Sequence, residues 1–275
     1  MNYIFFGTST FSAIILEKLI KNNFPPKVVI CNPDKPVGRK KIITPPPTKV
    51  LAEKAGIFVW QPQDLKIEDW QEINKFKNNV DFCVVAAYSK IIPQSILETM
   101  PNRFIGVHPS LLPKYRGPAP IQSVILNNEK ETGVSLFLMD DKIDHGPILE
   151  IQKQEITESE TYESLHDKLA NLGANLLVKT LPKFLKGDFS FYPQNEKEAT
   201  YTRKFTINDA YVDLEKDDPY LIERKIRALN PEPGVWTFKK IGDSLKRMKI
   251  LQAELKEGRL ILKKIQFEGK KPQFL

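Results

Sequence analysis

Phe104-Ile-Gly-Val-His-Pro-Ser-Leu-Leu-Pro-Lys-Tyr-Arg-Gly-Pro-Ala-Pro-Ile-Gln122 is the stretch from which the rest of the chain can be read. Arg103 to Val107 is a short apolar run that reads as a strand. Pro109 cannot donate to a sheet ladder and restricts the residue before it, so the strand stops at His108. Pro113, Gly117, Pro118 and Pro120 then keep the chain out of helix and strand. In open α/β sheets ligands lie in the crevice beyond the carboxyl ends of the strands. An imidazole at that point, backed by a stiff loop of exposed backbone groups, is a candidate for chemistry. A lone His at a strand end is ordinarily a satisfied structural residue. The prolyl loop behind this one favours a site.

Outward from that stretch the chain alternates strand and helix. Asp81 to Tyr88 is apolar throughout, the pattern of a central strand in a parallel sheet buried on both faces. It brings Tyr88 and Ser89 to the crevice of His108. Tyr3 to Phe6, Lys27 to Cys31 and Ile57 to Trp60 read as further strands, and Gly133 to Met139 and Ile148 to Glu155 as two more. Helical spacing predicts helices over Phe11 to Asn22, Thr48 to Ala55, Ile67 to Phe76, Pro93 to Met100 and Pro120 to Asn127. Thr161 to Leu185 forms a long amphipathic helix with Leu165, Leu169, Leu172, Leu176, Leu177 and Leu181 on one face. The turn Gly7-Thr-Ser-Thr10 can receive an anion at a helix N-terminus, but it is not a G-x-G-x-x-G dinucleotide fingerprint.

Two further features invite function. Asn32 to Pro47 is rich in Pro and charge, its composition excludes regular structure, and it is long for a strand-to-helix connection. Its Arg39-Lys40-Lys41 cluster reads equally as an arm gripping an anionic partner and as an exposed loop. Asp144 lies in a turn after a strand, beside Gly146. A carboxylate next to an imidazole fixes its tautomer and makes a general base of a residue whose free pKa is about 6.5. Asp140, Asp141 and His145 share that turn, and spacing does not choose among them.

The composition is that of an ordinary soluble protein: 275 residues, 41% hydrophobic and 27% charged. No apolar run approaches membrane-spanning length, and the start lacks the basic and apolar regions of a signal peptide. Cys31 and Cys83 sit in apolar strands and read as buried thiols of a reducing compartment. Three His and two Cys, remote from one another, give no metal-ligand spacing, so no metal is expected. The net charge of +7 is concentrated: Lys239 to Leu275 holds 11 Lys and Arg against 4 Asp and Glu, a surplus of 7. A basic end points to a phosphate backbone as partner. The polar run from Gly187 to Ala199 reads as a linker. Beyond it come a helix over Leu221 to Leu229 and strands over Gly234 to Phe238, Leu245 to Ala253 and Arg259 to Phe267, with Lys-rich outer faces.

Val107 to Gln122, followed by Gly133-Val-Ser-Leu-Phe-Leu-Met-Asp-Asp-Lys-Ile-Asp-His-Gly146, resembles the methionyl-tRNA formyltransferase family. Asn32-Pro-Asp-Lys-Pro-Val-Gly-Arg39 resembles the start of that family's tRNA-gripping loop. Ile226-Arg-Ala-Leu-Asn-Pro-Glu-Pro-Gly234 with Trp236 resembles a motif of its C-terminal domain. The match runs in order along nearly the whole chain, and Ser-Leu-Leu-Pro is specific to folate-dependent formyltransferases. The resemblance implies an α/β fold: a Rossmann-like open, mostly parallel sheet with helices on both faces over residues 1–187. A linker over 188–202 and a small OB-like β-barrel over 203–275, tRNA-binding and shorter than usual, complete it. It implies 10-formyltetrahydrofolate as formyl donor without a metal, and the α-amine of methionyl-initiator-tRNA as acceptor. The protein is expected in the cytoplasm, off the membrane, as a monomer. The resemblance carries the catalytic histidine onto His108 and the catalytic aspartate onto Asp144. It places folate contacts on Ser110, Leu111, Leu112 and Pro113; Tyr88 and Asp140 are expected to join them as folate contacts, and Arg39, Lys40 and Lys41 are expected to be tRNA contacts.

Gly106 departs from the pattern, since the family's catalytic asparagine belongs there. An asparagine amide would hold the formyl oxygen as charge develops, and losing one such donor costs about a hundred- to a thousandfold in rate in other enzymes. Protonated His108, Asn102, Gln122 or a water in the vacated space are the candidate replacements. A slow enzyme and a silent folate- or tRNA-binding homologue are the alternatives. A nucleotide-sugar N-formyltransferase would share the folate domain and the catalytic pair, but the Asn32–Pro47 loop and the basic C-terminal domain argue against it.

Overall fold

The apolar runs become the strands of one sheet. In the computed structural model, which describes residues 1–38, 40–73 and 80–275, the chain opens with β1 (Tyr3–Phe6), α1 (Thr10–Lys21), β2 (Val28–Ile30), β3 (Lys35–Val37), β4 (Ile42–Thr44) and α2 (Pro47–Lys54). It continues with β5 (Phe58–Trp60), α3 (Ile67–Glu72), β6 (Phe82–Ala86), α4 (Gln94–Leu97), β7 (Phe104–His108), α5 (Pro120–Leu126), β8 (Glu131–Leu138), β9 (Ile148–Glu155) and α6 (Tyr162–Leu185). After α7 (Pro219–Leu229) come β10 (Trp236–Ile241), β11 (Ser244–Lys256), β12 (Arg259–Phe267) and β13 (Gln273–Phe274).

Seven strands form the main sheet in the order β5-β2-β1-β6-β7-β8-β9. The pairings from β5 through β7 are parallel, and β7 with β8 is antiparallel. The order reverses beside β1, whose neighbours are β2 and β6, which is where ligands bind in doubly wound sheets. β1, β6 and β7 are buried end to end, as their unbroken apolar runs require. Phe6, Trp70 and Phe104 meet at ring separations of 6.1–6.2 Å in the core beside them. Ser9 caps α1 by accepting from the Ser12 N–H. The Ser12 hydroxyl donates to the Ala86 carbonyl at 2.6 Å, tying the first turn to the end of β6.

The chain divides into two compact units. Met1–Arg116, Gly133–Gln154 and His166–Thr200 make one, and Gly117–Thr132, Glu155–Leu165 and Tyr201–Leu275 the second. The residues read as linker, 188–202, therefore divide between the units at Thr200. In the second unit α7 starts on an Asp218 cap with Pro219 in its first turn, and an antiparallel sheet runs in the order β10-β11-β12-β13.

One reading of the sequence is corrected. Asn32 to Pro47 is not irregular throughout: β3 and β4 pair as an antiparallel hairpin, Lys35 with Thr44 and Val37 with Ile42. Val37, Ile42, Ile43 and Thr44 are β-branched and suit extended backbone. Gly38, at φ 71°, supplies the left-handed turn residue. The end of the helix read over Ile67 to Phe76 lies outside the described residues; α3 accounts for its start.

Candidate active site

β7 delivers His108, 6% exposed, at its carboxyl end. β6 runs parallel beside it, with Ala86 level with Val107, so Tyr88 and Ser89 leave the sheet at the same edge. The Tyr88 ring meets Phe6 edge-on at 5.4 Å. Its hydroxyl is buried without a partner, and burial pushes the phenol up to about 12. The side-chain amide of Asn32, just past β2, donates to the Ser89 hydroxyl at 2.7 Å, while its Oδ1 is buried and unpaired.

The imidazole of His108 stands between two oxygens. Nδ1 is 3.5 Å from Oδ2 of Asp144, and Nε2 is 2.8 Å from the backbone carbonyl of Tyr115. A carbonyl only accepts, so Nε2 is the donor in that bond. The competition within the acidic turn is resolved in space. Asp140 takes His145 instead, Oδ2 to Nδ1 at 2.6 Å, and also accepts from the Lys142 N–H. Asp144 alone of the three aspartates is paired with His108.

The loop after His108 is held by its own polar groups. Ser110 donates its N–H to the His108 carbonyl at 2.9 Å and its hydroxyl to the Lys114 carbonyl at 2.6 Å. The Ser135 hydroxyl donates to the Ser110 carbonyl and accepts from the Leu112 N–H. Leu112 packs with Phe137 and Ile148, and the bond to Pro113 is cis. Of the expected folate contacts, Ser110 and Leu112 thus point their side chains into the protein. Leu111, Pro113, Tyr88 and Asp140 are half-buried.

Alternation puts position 106 on the same face of β7 as His108. Gly106 lies opposite Phe137 of β8, and the buried Phe137 ring fills the space a side chain at 106 would take. That leaves no vacated space for the water named among the candidate replacements. Asn102 precedes the other end of β7, whose four steps from Phe104 to His108 span about 13 Å at roughly 3.3 Å per residue, too far for it to serve the same atom. Lys40 and Lys41 are exposed on the turn between β3 and β4; Arg39 lies outside the described residues. The sequence reading passed over Arg116, Gln194, Glu196 and Thr200. The fold brings them against the loops of Tyr115 and Asp144. Their partners lie up to 85 residues away, so no local pattern marks them.

The profile of the family described as "Formyl transferase" matches residues 1–181. A methionyl-tRNA formyltransferase of Halalkalibacterium halodurans is 41% identical over 239 residues, covering 86% of this chain and 74% of that protein. One from Kosmotoga olearia is 36% identical, covering 98% and 93%. The solved methionyl-tRNA formyltransferase of Clostridium thermocellum superposes with a TM-score of 0.65 over 97% of this chain and 98% of that one, at 20% identity, a likeness of fold.

Proposed function

We propose that this chain, which belongs to the methionyl-tRNA formyltransferase family, moves a formyl group from 10-formyltetrahydrofolate to the α-amine of methionyl-initiator-tRNA. The observation that carries the reading is His108 at the sheet edge with Asp144 facing Nδ1. The orphaned Tyr88 hydroxyl and Asn32 side-chain oxygen, along the same edge of the sheet, fit a ligand that brings its own hydrogen-bonding edge, as a folate does. When bound, the folate supplies an activated formyl group.

The chain's own residues then handle one proton and one developing charge. With Nε2 on the Tyr115 carbonyl, His108 turns no lone pair to a substrate. For Nε2 to act as the base, that bond opens and the ring exchanges its Nε2 proton, through solvent, for one on Nδ1 held by Asp144; Nε2 then takes a proton from the substrate amine. Position 106 supplies no donor, and the Phe137 ring occupies the space. Charge on the formyl oxygen therefore falls to the imidazolium and to backbone N–H groups. Lys40 and Lys41 at the hairpin tip and the basic Lys239–Leu275 segment are the tRNA contacts in this reading. Buried, reduced Cys31 and Cys83 accord with the cytoplasm. A single-turnover assay with methionyl-tRNA and 10-formyltetrahydrofolate tests it: His108→Ala abolishes transfer and leaves folate binding intact, and retained transfer refutes the role of His108.

A further inference from the structure

The segment from Tyr192 to Thr200 is laced to both loops that frame His108. Tyr192 exchanges backbone hydrogen bonds with Ile148, at 2.8 and 3.1 Å. The Gln194 amide donates to the carbonyls of Asp144 at 2.9 Å and Gly146 at 2.8 Å. Its own oxygen accepts from Arg116, Nε at 3.1 Å and Nη2 at 2.8 Å. Glu196 accepts from Nη2 and Nη1 of that guanidinium, at 2.6 and 3.0 Å, and lies 3.6 Å from Nε2 of His145. Thr200 accepts the Tyr115 N–H on its hydroxyl at 2.8 Å and the Arg116 N–H on its carbonyl at 2.8 Å. Arg116 has no exposed surface, and a buried guanidinium is tolerated where its donors are met. The hydrogen bond and charge of Arg116 hold the Glu196 carboxyl below its ordinary value.

Two of the residues reached by this strap are the two that face the imidazole. Tyr115, whose carbonyl meets Nε2, has φ 62°, and Asp144, whose carboxylate meets Nδ1, has φ 50°. Both are in the left-handed region that residues other than glycine rarely adopt. Such backbone persists only where the surroundings over-determine it. Here a strap hydrogen bond fixes the peptide group of each.

We propose that Gln194 and Thr200, braced by Arg116 and Glu196, are positioning residues that hold Asp144 and Tyr115 against the two nitrogens of His108. The inference rests on the reading of His108 and Asp144 as the catalytic pair. Without the strap the two turns relax, and the imidazole loses the fixed resting placement, Asp144 at Nδ1 and Tyr115 at Nε2, from which Nε2 is released toward the amine.

The test uses Thr200→Val, Thr200→Ser and Gln194→Leu in the full chain, with His108→Ala alongside. Thr200→Val and Gln194→Leu lower kcat roughly ten- to a hundredfold, the scale on which a misplaced catalytic group costs rate. KM for methionyl-tRNA and folate affinity stay within about threefold, as for an interaction made only in the transition state. Thr200→Ser, which keeps the hydroxyl, restores kcat. The chain has three His, so the imidazole nitrogen resonances of His108 can be assigned; they move in Thr200→Val and return in Thr200→Ser. Unchanged kcat and unmoved resonances in Thr200→Val, with His108→Ala inactive, overturn the strap while leaving the pair standing. An active His108→Ala overturns the pair itself. Thr200 is exposed, so Thr200→Val and its serine control carry the test alone should Gln194→Leu fail to fold.

Discussion

A Cβ on Gly106 would stand 2.3 Å from Cε1 of Phe137, so these two residues fit only as a pair. They face each other across β7 and β8, two positions along the strand from His108. The glycine is thus a packing solution as well as the loss of a hydrogen-bond donor: the ring that needs the room is buried and belongs to the cluster with Leu112 and Ile148. Apolar surface, not a vacant polar pocket, lies where a side-chain amide would have stood.

Gly106→Asn should therefore overpack this spot, at about 1–3 kcal/mol. Phe137→Ala alone should cost about 3–5 kcal/mol through the cavity it leaves. Because the two changes share one space, the double variant should cost less than the sum by about 0.5–3 kcal/mol. Urea denaturation of all four proteins measures the difference. Strict additivity would mean that the ring and the new side chain do not compete.

Asp144→Asn removes the carboxylate at Nδ1 while keeping the size of the side chain. An amide can present either end to the ring, so the proton is no longer held on Nδ1 and Nε2 loses its role as base. Formyl transfer should fall at least about a hundredfold, the lower range for a general acid–base contribution. Folate binding, followed by titration, should persist. Near-normal turnover would remove Asp144 from the reaction.

The fold was legible because it is written in local runs. Phe82 to Ala87 and Phe104 to Val107 are free of polar residues, the pattern of a central parallel strand buried on both faces. The hairpin of β3 and β4 was not legible, since the prolines and a basic cluster outweigh two short pieces of three residues each. His108 could be singled out by the proline behind it. Spacing alone left Asp144 and Asp140 open and the resemblance chose Asp144; in the fold His145 takes Asp140 instead. The strap was hidden for a plainer reason: Arg116 and Glu196 are 80 residues apart, and the run holding Gln194 is polar and aperiodic, the look of a linker.

Gly146 is required by a backbone. An added Cβ would lie 1.8 Å from the carbonyl oxygen of Leu138, and a strand carbonyl has no rotamer to give. Gly146→Ala should destabilise by about 3 kcal/mol or more, the upper end of overpacking. It should also impair transfer, because Gly146 shares the Gln194 amide with Asp144. Denaturant midpoints and single-turnover rates report the two effects. A fully stable Ala variant would show that the turn can shift without cost.

The hairpin tip and the basic end should make tRNA affinity electrostatic. Each phosphate neutralised releases counterions, so the logarithm of the association constant should fall linearly with the logarithm of salt concentration. Replacing Lys40 and Lys41 together by Ala should weaken binding across tRNA sequences and reduce the salt slope by about one for each phosphate no longer neutralised. Filter binding over a salt series measures both. An unchanged slope would place the hairpin away from the phosphates.

In the second unit Asp209 accepts from Arg203 at 2.9 Å and from the Thr206 N–H and hydroxyl at 2.7 and 2.8 Å. The Arg203 hydrogen bond, then those of Thr206, hold its carboxyl well below the usual carboxylate range. A carboxyl depressed in the folded state adds stability above its unfolded value, about 3.9, and that stability is lost as pH falls through the folded value. The stability gap between the natural chain and Asp209→Asn should therefore be constant at neutral pH and should narrow on acidification below about 3.9. Thermal melts of the two proteins from pH 7 downward measure it. A gap that stays the same through the acid range would mean that these hydrogen bonds do not distinguish carboxylate from amide.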